Sequence, residues 1–206
     1  MNAAPTMTTA PTERAQARRQ QVLDAASDAF RRRGFHAASM AEIAKLAGMS
    51  PGHIYNLFEN KDEIIAAIVE RDCEEILARI SEIQQEGDLL QKMLEGTEQA
   101  LDEHSEVAKA ALQLEVLAEA SRNPRLAAVV RRSQALVNER AQALIRQSLG
   151  EQAHAVSDEE IQGRSLLLGA LFNGLTALSV RDPEVARQIP VMAPVMRRVL
   201  QVLLAP

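Results

Sequence analysis

The sequence predicts an all-α protein of about nine helices, in which a three-helix unit built around a helix-turn-helix precedes a larger helical unit. Three observations carry this. Aromatic residues make up 2% of the 206 residues, with no Trp and one Tyr, while Ala, Leu, Glu and Arg abound; strands favour aromatic and β-branched residues, and helices favour the others. Apolar residues recur at spacings of three and four along most of the chain. Helix-capping residues and breakers punctuate these stretches at regular intervals, and no segment alternates like a strand or repeats.

Residues 1–12 are Ala, Pro and Thr with little to bury and are expected to form a flexible arm. From Glu13 to Arg33 the pattern is helical, with Val22, Leu23, Ala26, Ala29 and Phe30 on one face. Gly34 stands at a C-terminal cap, after three arginines that suit the negative end of the helix dipole. Ser39 and Glu42 have the spacing of a capping box for a second helix, Met40 to Ala47, ended by Gly48. Ser50-Pro51 starts a third, to Phe58. Asn60 caps a fourth, with Asp62 and Glu63 in its first turn, running to about Gln84. Breaks at Gly87, Asn123-Pro124, Gly150, Asp182-Pro183 and Pro190 then separate helices near 89–104, 106–121, 125–149, 158–181 and 191–204.

A hydrophobic content of 47% with 25% charged residues is ordinary for a soluble globular protein. The net charge of −5 is unevenly spread. Residues 1–58 hold seven Lys and Arg against four Asp and Glu, a balance of +3, and the remainder carries −8. A lone Cys73 allows no intrachain disulfide and suits a reducing compartment. The N-terminus has no apolar stretch of signal-peptide type, and the most apolar run, Leu166 to Val180, is interrupted by Asn173, Thr176 and Ser179. No membrane role and a cytoplasmic location are expected.

Within MAEIAKLAGMSPGHIYNLFE, Ile43 and Leu46 are placed to enter the core, Ala44 is small where two helices cross, and Gly48 supplies the tight turn. Met49, Ile54 and Leu57 would pin the second helix. Pro51, Gly52, His53, Tyr55 and Asn56 are then left facing outward near a helix N-terminus, the end that reaches base edges when such a helix enters the major groove. Ser39, Ser50 and Lys61 could reach phosphate oxygens. Two helices joined by glycine also occur as plain corners. On the bare pattern Asn56 suits a solvated position, Tyr55 a core one and Lys61 an ordinary surface, and Arg14, Arg18 and Arg19 suit either a solvated helix end or a DNA backbone.

The stretch VLDAASDAFRRRGFHAASMAEIAKLAGMSPGHIYNLFENKDEI resembles the N-terminal domain of the TetR/AcrR family of bacterial transcriptional regulators. The resemblance rests on Phe30, Gly34, Phe35, Ser39, Ile43, Ala44, Gly48, Ser50, Tyr55, Phe58, Lys61 and Ile64 at fixed spacing. It implies a DNA-binding domain over 13–59 and a ligand-binding and dimerisation domain over 60–206. Helix 51–58 becomes the recognition helix, with Tyr55, Lys61, Ser39 and Ser50 on the backbone of double-stranded DNA. Gly52, His53 and Asn56 would set preference for a near-palindromic operator. It further implies a homodimer and a repressor released by a small hydrophobic effector. Efflux control is a frequent role of such proteins.

The second two-thirds yields less. LLLGALFNGLTAL is apolar almost all round and needs cover on more than one side, with Gly169, Ala170, Gly174 and Ala177 permitting close approach. With Val191, Val195 and Val199 of the last helix it suits a four-helix interface between two copies. Polar residues inside apolar stretches, His104, Gln113, Glu115, Asn138 and Asn173, are the ligand-orienting candidates, each equally suited to a surface or satisfied core position. The fourth helix, starting beside Lys61, would link the two functions. No catalytic activity, metal or cofactor is expected. Glu151-Gln-Ala-His154 is a single E-x-x-H where di-iron bundles need two, and no phosphate-binding glycine loop occurs. A helical ligand-binding or interaction module without DNA, and an activator on the same fold, are the competing functions.

Overall fold

The computed structural model describes residues 9–85 and 88–204. Over these it has ten α-helices and two short 3-10 helices, and no strand. In order they are α1 (Thr9–Ala37), α2 (Met40–Leu46), α3 (Pro51–Tyr55), α4 (Lys61–Gln84), α5 (Leu89–Glu95), α6 (Thr97–Ser105), α7 (Val107–Ala120), α8 (Pro124–Leu149), a 3-10 helix (Gly150–Ala155), α9 (Asp158–Arg181), a 3-10 helix (Pro183–Gln188) and α10 (Ile189–Leu204). The chain forms two compact units, one through Ile68 and one from Val69, so the boundary falls inside α4. The all-α architecture is as the sequence predicts.

Several elements differ in extent. Residues 9–12 already belong to α1, so the helix takes in part of the expected arm; residues 1–8 and the break expected at Gly87 lie outside the described residues. α3 ends at Tyr55 rather than Phe58. The expected helix 89–104 is two helices meeting at Gly96. Glycine is a weak helix former, and Arg197 of α10 donates to the Leu94 carbonyl at 3.1 Å while pairing with Glu98 at 2.7 Å, which stabilises the break. α10 starts at Ile189 and accommodates Pro190 in its first turn, where an absent N–H costs nothing.

The core of the first unit is Val22, Ala26, Ala29, Phe30, Ile43, Ala44, Ile54, Phe58, Ile64, Ile65 and Ile68, all buried. Phe35 packs its ring on Phe30 with centroids 5.3 Å apart. Leu46 is not a core residue, contrary to its spacing. It is 42% exposed and Ala47 takes the buried place beside it, because one residue turns a helical position by about 100°.

Two corners shape this unit. At the first, Gly34 leaves the helix with φ 76°, a region glycine enters freely. The bend turns the carbonyls of Phe35, His36 and Ala38 toward the Lys61 ammonium, which donates to them at 2.7, 3.0 and 2.7 Å. The ammonium also lies 4.9 Å from the Phe35 ring centroid. At the second corner Gly48 has φ 62° and closes a Schellman motif: Met49 N–H donates to Ala44 O at 2.9 Å and Gly48 N–H to Lys45 O at 3.2 Å.

The second unit has two core clusters. One joins Leu101, Leu175, Val185, Ile189 and Ala193; the other joins Ile145, Leu149, Ile161, Leu200 and Leu204. Both include α9 and α10. Yet α9 leaves Leu166, Leu167, Leu171 and Leu178 exposed, and α10 leaves Val191, Val195 and Val202 exposed. A Cβ added at Gly169 or Gly174 would meet nothing within 4 Å. By length and composition α9 could cross a bilayer, and the residues it buries within the unit include Ser165, Thr176 and Ser179.

Replacing Lys61 by Met keeps the aliphatic stem and removes all three donors. We expect a loss of about 2 kcal/mol, the cost of leaving hydrogen-bonded carbonyls without a charged donor, measured by urea unfolding. Unchanged stability would return Lys61 to the role of a plain surface cation.

Candidate nucleic-acid interface

The helix-turn-helix runs from Ser39 to Phe58 and both its helices are capped by serine. Glu42 N–H donates to Ser39 Oγ at 3.2 Å and His53 N–H to Ser50 Oγ at 3.3 Å. The Glu42 carboxylate accepts from Arg33 at 2.9 Å, so the expected capping box uses its glutamate elsewhere. Each serine hydroxyl accepts a bond and keeps its own proton, which can be donated to a phosphate oxygen.

α3 buries Ile54 completely and packs it with Phe58 against the unit's core. This fixes which residues face out. Ser50, Pro51, Gly52, Tyr55 and Asn56 are exposed, Tyr55 at 54%. A Cβ at Gly52 would meet nothing within 4 Å, so this position presents bare backbone to solvent. Asn56 forms the C-cap of α3, its N–H on Gly52 O at 3.2 Å, and its amide is free to reach a base edge.

Two of the expected contacts take other roles. His53 is half-buried and its Nε2 is enclosed with no hydrogen-bond partner, so the ring does not offer that nitrogen to solvent. The Lys61 ammonium has three donors, and all three go to the carbonyls of the first corner. The same holds for Arg19, whose guanidinium lies 4.2 Å over the Phe58 ring and reaches Leu57 O at 3.5 Å. Sequence reasoning overlooked Gln21, which donates to Ala47 O at 2.8 Å and ties α1 to the end of α2. A glutamine on an otherwise solvated helical face gives no local signal of this.

In the second unit, His104 of α6 donates from Nδ1–H to Ala100 O, 2.8 Å away, with its ring 4.5 Å from that of Phe172 on α9. Next to Phe172, Asn173 Oδ1 accepts from Gln113 of α7 at 3.5 Å. Of the five proposed ligand-orienting residues, His104 therefore meets Phe172 and Gln113 meets Asn173, with Gln113 and Asn173 exposed at the surface. Asn138 instead accepts from Gln134 on its own helix at 2.9 Å, and Glu115 is half-buried on α7. Glu151 and His154 are both exposed on the 3-10 helix 150–155. Among the described residues no three His, Cys, Asp or Glu gather as metal ligands.

Burial pushes the His104 pKa down, outweighing the Ala100 carbonyl that favours the charged ring; Arg79 and Lys109 push the same way as burial. The unfolded chain then takes up a proton below about pH 6.5 that the folded protein resists. Stability should fall as pH drops through that value and continue falling to the lower folded pKa. The variant His104→Gln should lose this component of the slope in denaturation measured between about pH 7 and 5; an unaltered slope would mean the ring is not held neutral.

Comparison with known proteins agrees with this geometry. Residues 22–68 match the model described as bacterial regulatory proteins, tetR family, and residues 88–204 match that of the BetI-type transcriptional repressor, C-terminal. The HTH-type transcriptional regulator UidR of Escherichia coli (strain K12) is 35% identical over 125 residues, 61% of this chain and 63% of UidR. The similarity thus spans less than two-thirds of that relative. HTH-type transcriptional regulator TtgR of Pseudomonas putida is 41% identical over 80 residues, 38% of each chain. The solved structure of Salmonella enterica GusR superposes with a TM-score of 0.76 at 28% identity, covering 97% of this chain and 99% of that one. On the C-terminal match, which takes in more than half of the residues, and the N-terminal match over the helix-turn-helix, the chain belongs to the TetR family of bacterial transcriptional regulators.

Proposed function

We propose that the protein is a homodimeric, ligand-responsive repressor that binds a near-palindromic operator in double-stranded DNA and leaves it when a small hydrophobic effector binds. The carrying observation is the helix-turn-helix whose exposed residues, Gly52, Tyr55 and Asn56, stand on a scaffold tied together by Gln21 and Lys61. The match of residues 88–204 to a repressor C-terminal model favours repression over activation. A cytoplasmic location goes with this role.

The exposed side of α9 and α10 supports the dimer. Leu167 is 59% exposed and Val202 76%, on helices that otherwise anchor both clusters of the core. An apolar strip of this kind marks an interaction surface, and a second copy offering the same strip covers it symmetrically. The effector is assigned to the side of α9 at Phe172 and Asn173, where the His104 ring and the Gln113 amide meet them. Ligand-driven release requires the effector to prefer the conformation with lower operator affinity.

The direct test is footprinting on the DNA flanking the protein's own gene, where a protected near-palindrome is expected. Tyr55→Ala with Asn56→Ala should weaken operator binding by ten-fold or more, at about 1–3 kcal/mol for each base-edge interaction removed, while the protein stays a folded dimer. Binding that survives both changes would sink the assigned recognition helix.

Leu167→Glu with Val195→Glu should convert the dimer to a monomer in sedimentation, since it sets charges in the middle of the apolar strip. A dimer that persists would place the interface elsewhere.

A further inference from the structure

The hydrogen-bonding state of His104 is set by its own helix. A carbonyl oxygen only accepts, so Nδ1, 2.8 Å from Ala100 O, carries the ring hydrogen. Burial lowers the pKa of the ring against the pull of that carbonyl, and Arg79 and Lys109 act in the same direction as burial. The ring is therefore neutral near pH 7, and Nε2 is a bare acceptor. The geometry of an imidazole points this lone pair away from the Ala100 carbonyl. Among the described residues nothing donates to it. A half-buried acceptor without a donor in the protein takes its hydrogen bond from whatever lies against the ring.

The surroundings narrow the chemistry of that donor. Phe172 of α9, itself half-buried, lies beside the ring with its plane tilted by 36°. Arg79 of α4 pairs with Glu103 of α6, and Lys109 of α7 pairs with Glu106 at 3.3 Å. Both cations still act against positive charge on the His104 ring, and the same field acts against a cation placed next to it. A carboxylate has acceptors only and cannot donate to Nε2. An uncharged O–H or N–H beside apolar surface is the chemistry left.

We infer that the effector is an uncharged molecule whose hydroxyl or N–H donates to His104 Nε2 while its apolar body lies beside Phe172. This rests on the ligand-responsive reading above and deepens it, and the experiment separates the two. His104 then selects by the direction of a hydrogen bond: an analogue of the same shape that can only accept leaves Nε2 unmet and sets one lone pair against another. Phe172 supplies apolar contact to either molecule and does not discriminate between them.

The test is isothermal titration calorimetry of the full chain with probes that share one apolar body: 2-naphthol, 2-methoxynaphthalene, 2-naphthoate and 2-naphthylmethylammonium. The unaltered protein should bind 2-naphthol about ten-fold more tightly than its methyl ether, the effect of one hydrogen bond to a half-buried acceptor. The carboxylate and the ammonium should bind more weakly than 2-naphthol. His104→Phe keeps a ring beside Phe172 and removes the acceptor, so the naphthol and the ether should then bind alike. His104→Gln, whose amide oxygen accepts, should restore part of the preference. Circular dichroism checks folding; should His104→Phe unfold, His104→Leu serves for the same comparison. A preference for 2-naphthol that persists without the imidazole, or an ether or charged probe bound as tightly as 2-naphthol, overturns the donor assignment and leaves the ligand-responsive reading standing. Binding of none of the probes overturns both this class of effector and its place beside Phe172.

Discussion

The recognition surface depends on a corner that the backbone cannot close by itself. Where α1 kinks at Gly34, with φ 76°, the carbonyls of Phe35, His36 and Ala38 turn toward one point, and carbonyl groups in a packed bend must be satisfied. One ammonium with three donors meets all of them. Lys61 is the first residue of α4, so the same group that satisfies the bend also fixes where α4 begins against the end of α1. The helix-turn-helix lies between those two points in the chain. Its span is therefore held at both ends by one side chain.

The other long side chains of the unit extend this logic. Gln21 accounts for a carbonyl at the end of α2, and Arg19 covers Phe58 while reaching Leu57 O. Each polar group used in this way is withdrawn from solvent chemistry. What the helix-turn-helix presents at the start of α3 and at its two caps is a small set: two serine hydroxyls, bare backbone at Gly52, Tyr55 and the Asn56 amide. A surface so reduced can be specific because few groups compete to define the contact.

Features carried by neighbouring residues were legible in the sequence. Ser39, Ser50 and Asn60 each cap through the N–H three residues on, and Gly48 is needed by the turn that contains it. Interactions between distant residues were not. A lysine that reaches three carbonyls more than twenty residues away has the same local pattern as one in water. Lys61 consequently read as a phosphate contact, and His53 as an outward ring although its Nε2 is enclosed. The break at Gly96 is likewise supported by Arg197, a residue on the last helix. Leu46 and Ala47 show a different limit: an apolar count cannot say which of two adjacent residues faces inward at the end of a seven-residue helix.

In the second unit one helix serves three surroundings. α9 buries Ile161, Leu175 and Ser179, meets His104 and Gln113 at Phe172 and Asn173, and leaves Leu166, Leu167 and Leu178 outside. Packed helices shift between discrete arrangements rather than bending smoothly, because the interior is close-packed. A molecule seated against Phe172 and Asn173 would therefore act on the helix as a body. Its effect would appear at the outer strip, where the proposed second copy lies, without any side chain having to link the two. Such a ligand changes the arrangement only as far as it binds one arrangement better than the other. The Gln113–Asn173 hydrogen bond, long at 3.5 Å and joining two helices, is one whose making or breaking could supply that difference.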